Sequence, residues 1–459
     1  MTLDVVVRGG TVIAMDGTPP RVADVHLRGD RILAIGRVEA PRARVLDARG
    51  AAVIPGFVQA HVHLCQTLFR GHAADLPLLA WLAERIWPLE AAHDEASLRA
   101  SAELGLAEML LSGTTSILDM GTVHHHDVVM EAMVRSGIRG SSGKAMMDRG
   151  AGVPKGLRES TRESLAESDA LASRWHGAAD GRVRYAYAPR FVLSCSRKLL
   201  EATAERARAR GCLLHTHAAE HAEERALARR VLGMDDVAAL AAAGFEGPDV
   251  VLAHGVQLRA AEMRRLAKHG TRVVHCPSAN LKLASGIADV RALRDAGVVV
   301  GLGSDGAPCN DTHDPFVEMR SAALLAKVKR RDAAALPAAE ALALATREGA
   351  RVLGLDDVGV LVPGAKADVV VVGLGGLAQT PSPDPIGALV YASRGADVRH
   401  VVVDGRVVVQ RGELLGVDVE RVAARALEEA RRVARRAGIE LPTPEAAKPV
   451  TGRAAPRAR

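Results

Sequence analysis

Hydrophobic and polar positions alternate in short bursts over residues 1–50, in DVVVRGGTVIAMDG, ADVHLRGDRILAIG and ARVLDARG. Val and Ile at period two, bounded by Gly-Asp and Asp-Gly pairs, predict antiparallel hairpins. The same texture returns in KADVVVVGL (366–374) and VRHVVVDGRVVVQRGEL (398–414). Neither stretch is long enough for a stable sheet pair alone. The spacing therefore predicts one composite β-sandwich assembled from both ends of the chain.

Between these ends the pattern changes to short apolar runs separated by helix-like segments such as SRKLLEATAERARARG and RAAEMRRLAKHG. The runs are AAVIPGFVQAHVH, TTSILDM, IRGSSGKAMM, RVRYAYAPRF, CLLHTH, VVLAHG, TRVVHC and VVVGLGSD. Repeated β–α alternation implies a parallel sheet, and eight units over roughly 300 residues suit a (β/α)₈ barrel of the α/β class. The expected division is 1–54 for the first part of the sandwich, 55–358 for the barrel, 359–415 for the second part, and 416–459 for a C-terminal helix with a basic, disordered tail.

Composition adds limits. With 48% hydrophobic and 25% charged residues, the 459-residue chain can bury a large core and is not a disordered protein. The net charge of +6 hints at nucleic acid. Lys448, Arg453, Arg457 and Arg459, with no acid among them, place most of that charge in the tail, and aromatic residues are 2% of the chain, too few for a stacking platform. Five scattered cysteines without a C-x-x-C pair indicate neither a disulfide framework nor a zinc ribbon. No apolar run reaches the ~18 residues of a membrane span, and MTLDVVVRGG does not read as a secretory signal. The expectation is a cytoplasmic protein that takes a small heterocyclic molecule, with no nucleic-acid or membrane partner, and compatible with a homo-oligomer.

Chemistry concentrates where a barrel keeps it, at the C-terminal ends of strands. The first predicted strand ends His61-Val62-His63, and residues two apart on a strand point the same way, so both imidazoles can face one ion. The fifth ends at His215-Thr216-His217, followed by Glu220; the sixth ends at His254, the seventh at His275 and the eighth at Asp305. Three imidazoles and a carboxylate suit Zn²⁺, with Fe²⁺ the alternative. Such an ion makes water a nucleophile at neutral pH. Glu220 stands ready to shuttle a proton, and His254 to stabilise developing charge.

P-G-F-V-x-x-H-x-H at 55–63, H-x-x-E at 217–220, A-H-G at 253–255 and G-S-D-G at 303–306 resemble the amidohydrolase superfamily. They are similar to its mononuclear aminohydrolase branch, which includes cytosine, guanine, adenosylhomocysteine and 5′-deoxyadenosine deaminases and the s-triazine hydrolases. The resemblance implies that His61, His63, His217 and Asp305 bind the metal, and that Glu220 and His254, with Asp305, serve catalysis. It implies hydrolytic deamination of an aminopurine, either a nucleoside of the 5′-deoxyadenosine, methylthioadenosine or adenosylhomocysteine type or a guanine-like base. An s-triazine hydrolase and a non-catalytic barrel scaffold are the alternatives. Gln66 and Pro189-Arg190-Phe191 resemble the base contacts of guanine deaminase. Trp81 and Trp87-Pro88-Leu89-Glu90 resemble the nucleoside deaminases, in which the matching Glu holds ribose hydroxyls. On this basis Glu90 and Arg190 are expected to report on two different substrates. The signature of the other zinc deaminase architecture, H-x-E paired with P-C-x-x-C, is absent from the sequence.

Other candidates carry less. Three consecutive residues, His124, His125 and His126, cannot face one ion from a regular element, and His124 or His125 is expected to line the pocket instead. His275 is expected to support the site rather than ligate, as is His215. Lys144 matches the carboxylated lysine of binuclear relatives in type but falls on the third predicted strand instead of the fourth.

Overall fold

The computed structural model describes residues 4–150, 152–381 and 383–439; the basic tail lies outside them. From the N-terminus come β1 (Val5–Val12), β2 (Arg21–Arg28), β3 (Arg31–Gly36), β4 (Arg44–Asp47) and β5 (Ala51–Pro55). The barrel strands follow: β6 (Phe57–Val62), β7 (Thr114–Met120), β8 (Arg139–Gly143) with its continuation β9 (Ala145–Met146), β10 (Val183–Pro189), β11 (Leu213–Ala218), β12 (Val250–His254), β13 (Arg272–His275) and β14 (Val300–Leu302). The chain then returns as β15 (Val369–Gly373), β16 (Val398–Val403), β17 (Arg406–Gln410) and β18 (Glu413–Leu414).

The eight barrel positions pair in parallel in the order β6, β7, β8, β10, β11, β12, β13, β14. Their side chains are buried almost throughout, because helices cover the outside and other strands the inside, which is why the runs read as apolar without alternation. The ring closes beyond β14, where the Asp305 N–H donates to the His61 carbonyl at 3.0 Å. Gly303 permits this approach: a Cβ there would stand 2.6 Å from the His61 oxygen.

The β domain forms a second core of its own, with Val5, Leu27, Val53, Val371 and Val402 facing it. Its strands make one hydrogen-bonded sheet in the order β18, β17, β16, β15, β5, β1, β2, β3, with β4 alongside β1. The sheet folds over: Ile32 N–H donates to Ala365 O at 2.9 Å and Ala367 N–H to Asp30 O at 2.8 Å, so the β3 edge meets the segment that enters β15. The expected hairpins hold for β1–β2 and β2–β3, whereas β4 and β5 join β1 in parallel.

Two boundaries differ from the sequence pattern. The predicted first barrel strand is two strands: β5 pairs with β15 through Pro55, and only after Gly56 does β6 enter the barrel. Within 359–415, the helix Pro385–Tyr391 leaves the β domain and packs on the barrel helices Ala338–Leu344 and Pro315–Arg330. The helix Val419–Arg436 buries Ala426 and Val433 against the helix Glu95–Leu111, and Arg436 donates from Nε to Ala92 O at 2.8 Å. No helix of the described residues is long and apolar enough to cross a membrane.

Candidate metal centre and catalytic pocket

Four imidazoles and one carboxylate converge at the C-terminal mouth of the barrel. Ligand atoms of His61, His217, His254 and Asp305 all lie within 4.8 Å of one another. His63 joins them, its Nε2 standing 3.2 Å from both Asp305 Oδ1 and His217 Nε2. His61 Nε2 is 3.3 Å from the same Asp305 oxygen and has no hydrogen-bond partner among the described residues.

Outer contacts aim these rings. His63 donates from Nδ1 to Met120 O, and His217 from Nδ1 to Arg190 O, both at 2.7 Å. In the neutral form, with its one N–H on Nδ1, each ring turns an Nε2 lone pair toward the other, the two nitrogens 3.2 Å apart and the rings within 9° of parallel. Two lone pairs at that distance repel unless a cation lies between them. The 3.2–3.3 Å separations are also the edges expected of a tetrahedron with ~2.0–2.1 Å metal–nitrogen bonds. The residues therefore fit a divalent metal ion. Burial holds His61 down to about 4 and His217 well below its usual value, the neutral form a metal needs. Burial alone would raise Asp305, but the imidazoles of His61 and His63 beside it hold it well below the ordinary carboxylate range.

Glu220 and His254 stand beside this cluster, His254 Nε2 at 3.5 Å from Glu220 Oε2 and 3.9 Å from Asp305 Oδ2. His254 Nδ1 hydrogen-bonds Asn280 Oδ1 at 2.9 Å. Both His254 (φ +78°) and Asp305 (φ +62°) adopt left-handed backbone, a strain that marks functional positions. Burial and then the Asp305 charge push Glu220 up to about 8. Its loop is fixed by Ala219 N–H donating to Asp236 Oδ2 at 2.6 Å and by Glu224 Oε2, which accepts from the Glu220 N–H at 3.3 Å.

The adjoining cavity has about 390 Å³ of empty space including its mouth, and Gln66, Trp81, Arg190, Phe191 and Glu220 line it beside the metal-facing residues. Leu78, Leu82 and Glu224 complete the wall; Glu224 escaped the sequence reading, although its place seven residues past His217 was visible. Asn280 had no sequence signal at all.

Glu90 departs from expectation. It is buried behind the wall, its Oε1 accepting from Gln66 Nε2 at 2.8 Å and its Oε2 from Arg190 Nη1 at 2.6 Å. The two groups expected to act separately, one on a ribose and one on a base, are an ion pair.

The remaining candidates separate cleanly. His215 lies beneath the cluster, its Nε2 2.9 Å from His61 Nδ1. His275 is buried outside the ligand group, and burial pushes it down to about 3. His126 turns inward to Ser142 Oγ at 3.0 Å, His125 points toward Glu95, and neither His124 nor His125 lines the cavity, contrary to expectation. Lys144 pairs with Glu159 and with Glu167 at 2.6 Å, so its amine is occupied by carboxylates away from the metal-facing rings.

Residues 52–408 match the amidohydrolase family. The chain is 38% identical over 441 residues to the 5-methylthioadenosine/S-adenosylhomocysteine deaminase of Pelotomaculum thermopropionicum, covering 94% of this chain and 99% of that one. It is 40% identical to the 5′-deoxyadenosine deaminase of Methanothermobacter thermautotrophicus, with 89% and 91% covered. Among solved structures, an adenosine deaminase from Xanthomonas campestris with bound zinc superposes with a TM-score of 0.87 at 32% identity, covering 94% of this chain and 99% of that one.

Proposed function

The chain belongs to the amidohydrolase family, and on that premise we propose that it is a metal-dependent aminohydrolase which replaces the exocyclic amine of an aminopurine by a carbonyl and releases ammonia. The observation that carries this reading is the pair of imidazole nitrogens, His63 Nε2 and His217 Nε2, held 3.2 Å apart with Asp305 Oδ1 3.2 Å from the first of them. The named relatives support the aminopurine as substrate class.

His61, His63, His217 and Asp305 would hold the ion, and three nitrogens with one carboxylate suit Zn²⁺, with Fe²⁺ the alternative that the same donors accept. Bound there, it would supply Lewis-acid activation of water. Everything else falls to side chains. Hydrolysis needs one water proton delivered to a ring nitrogen and the other to the leaving amine. Glu220 is the group placed to carry both, since its raised pKa lets it hold a proton near neutrality. His254, oriented by Asn280 and adjacent to Glu220, would stabilise the charge that develops on the attacking oxygen. Trp81 and Phe191 offer apolar surface for a heterocycle.

The test is ammonia release from protein of known metal content, screened over methylthioadenosine, adenosylhomocysteine, 5′-deoxyadenosine, guanine, cytosine, pterins and aminotriazines. Turnover of an aminopurine above all others is expected. Metal-loaded protein that releases ammonia from none of them would overturn the assignment.

A further inference from the structure

The reading that His61, His63, His217 and Asp305 hold a divalent ion leaves the buried carboxylate of Asp119 without a role. Asp119 lies on β7 and is fully buried. Its Oδ1 accepts from the Leu64 N–H at 2.8 Å, and its Oδ2 accepts from the Ser142 hydroxyl on β8. A hydroxyl has one proton to give, so His126 Nε2, 3.0 Å from Ser142 Oγ, donates into the same chain. Met120, the next residue, accepts the Nδ1 proton of His63 on its carbonyl at 2.7 Å. Two successive residues of β7 thus grip the His63 ring and the peptide that follows it.

What Asp119 lacks is a cation. Other buried carboxylates have one: Glu90 faces Arg190, Asp236 faces Arg225 and Asp368 faces Arg139. Among the described residues no Lys or Arg pairs with Asp119. The charge that reaches it is that of His63, and an imidazole that ligates a metal is neutral. Burying a carboxylate costs folding free energy unless a positive charge offsets it, and burial pushes Asp119 up to about 6. Two hydrogen bonds recover part of that cost. The ion that His63 would hold is the missing charge. We propose that Asp119 is a positioning residue for the metal centre, which anchors the turn after His63 and supplies a fixed negative charge that strengthens the hold on a divalent ion.

The test is binding of Zn²⁺ alone to metal-stripped protein, measured by competition with a chromophoric chelator, beside thermal melts of the same samples. Asp119→Asn keeps the shape and an acceptor for Leu64 while removing the charge. Its Zn²⁺ affinity should fall about 10- to 100-fold, the usual effect of losing a partner that supports a metal ligand. The metal-free variant should melt no lower than wild type. Ser142→Ala takes a hydrogen bond from Asp119 but leaves its charge, and should keep its Zn²⁺ affinity within a few-fold. Should Asp119→Asn fold poorly, Asp119→Ser removes the charge with a smaller side chain and should show the same loss.

Zn²⁺ binding by Asp119→Asn as tight as by wild type would overturn the proposal. So would a loss of affinity accompanied by a lower melting temperature of the metal-free variant, or matched by an equal loss in Ser142→Ala, for Asp119 would then serve only the packing of β7. A wild type that binds no Zn²⁺ would refute the metal reading itself and this proposal with it. An affinity that depends on the Asp119 charge, without ammonia release from any aminopurine, would instead uphold the role of Asp119 and refute deamination.

Discussion

Arg190 donates from Nη1 to Glu90 Oε2 at 2.6 Å across 100 positions of sequence, and both side chains are buried. Removing one partner strands the other's charge in a low-dielectric site, whereas removing both leaves mainly a cavity. Arg190→Ala and Glu90→Ala should each destabilise by ~3–5 kcal/mol. The double variant should cost less than their sum by ~0.5–3 kcal/mol. Denaturant melts of the four proteins measure the coupling, and strict additivity would mean that the pair is not formed in solution.

His61→Ala, His63→Ala, His217→Ala and Asp305→Ala should each lower bound metal and ammonia release together. Elemental analysis beside steady-state kinetics checks it. A variant with full metal content and normal kcat would remove that residue from the ligand set.

Glu220→Gln should keep the metal and lose ~10²–10⁴ in kcat, the range for a positioned acid–base group. A loss below tenfold would assign the proton transfers to another side chain.

Gly303→Ala places a methyl 2.6 Å from the His61 carbonyl oxygen, well inside van der Waals contact. Backbone cannot yield as a side-chain tip does, so the variant should be destabilised by ~1–3 kcal/mol. It should also bind metal more weakly, because the seam it opens carries His61 and Asp305. Unchanged melting and metal affinity would mean that the barrel closes differently.

His126 supplies a pH test outside the imidazole group at the barrel mouth. Burial, reinforced by the Lys144 charge, pushes its imidazole down to about 3 from an ordinary 6.5. Between those values the unfolded chain binds a proton that the folded protein excludes, so this residue withdraws stability as pH falls below about 6.5. In His126→Leu that loss disappears. The difference in stability between variant and wild type should therefore shift in favour of the variant as pH drops from about 7.5 to about 5, by at most ~1.4 kcal/mol per unit. Parallel profiles would show that His126 does not titrate on unfolding.

Local pattern determined much of this protein. The two-residue spacing of His61 and His63 at the end of β6, the place of His217, His254 and Asp305 at or just past strand ends, and the β–α rhythm all follow from periods fixed by backbone geometry. A barrel whose mouth gathers imidazoles was therefore legible residue by residue. The tertiary structure decided whatever depends on competition between distant elements. Pro55 and Phe57 belong to one apolar run, yet Gly56 passes the chain from one sheet to the other, because β15 claims the first half and β7 the second. His215 and His217 share a strand face, yet one supports His61 while the other faces His63 Nε2 at the barrel mouth, a difference of depth in the barrel that no spacing records. Glu90 matched a ribose-binding position by its neighbours in sequence, but its oxygens went to Gln66 and Arg190. A buried carboxylate takes the strongest donors that folding brings within reach, and which donors those are is a property of the assembled barrel.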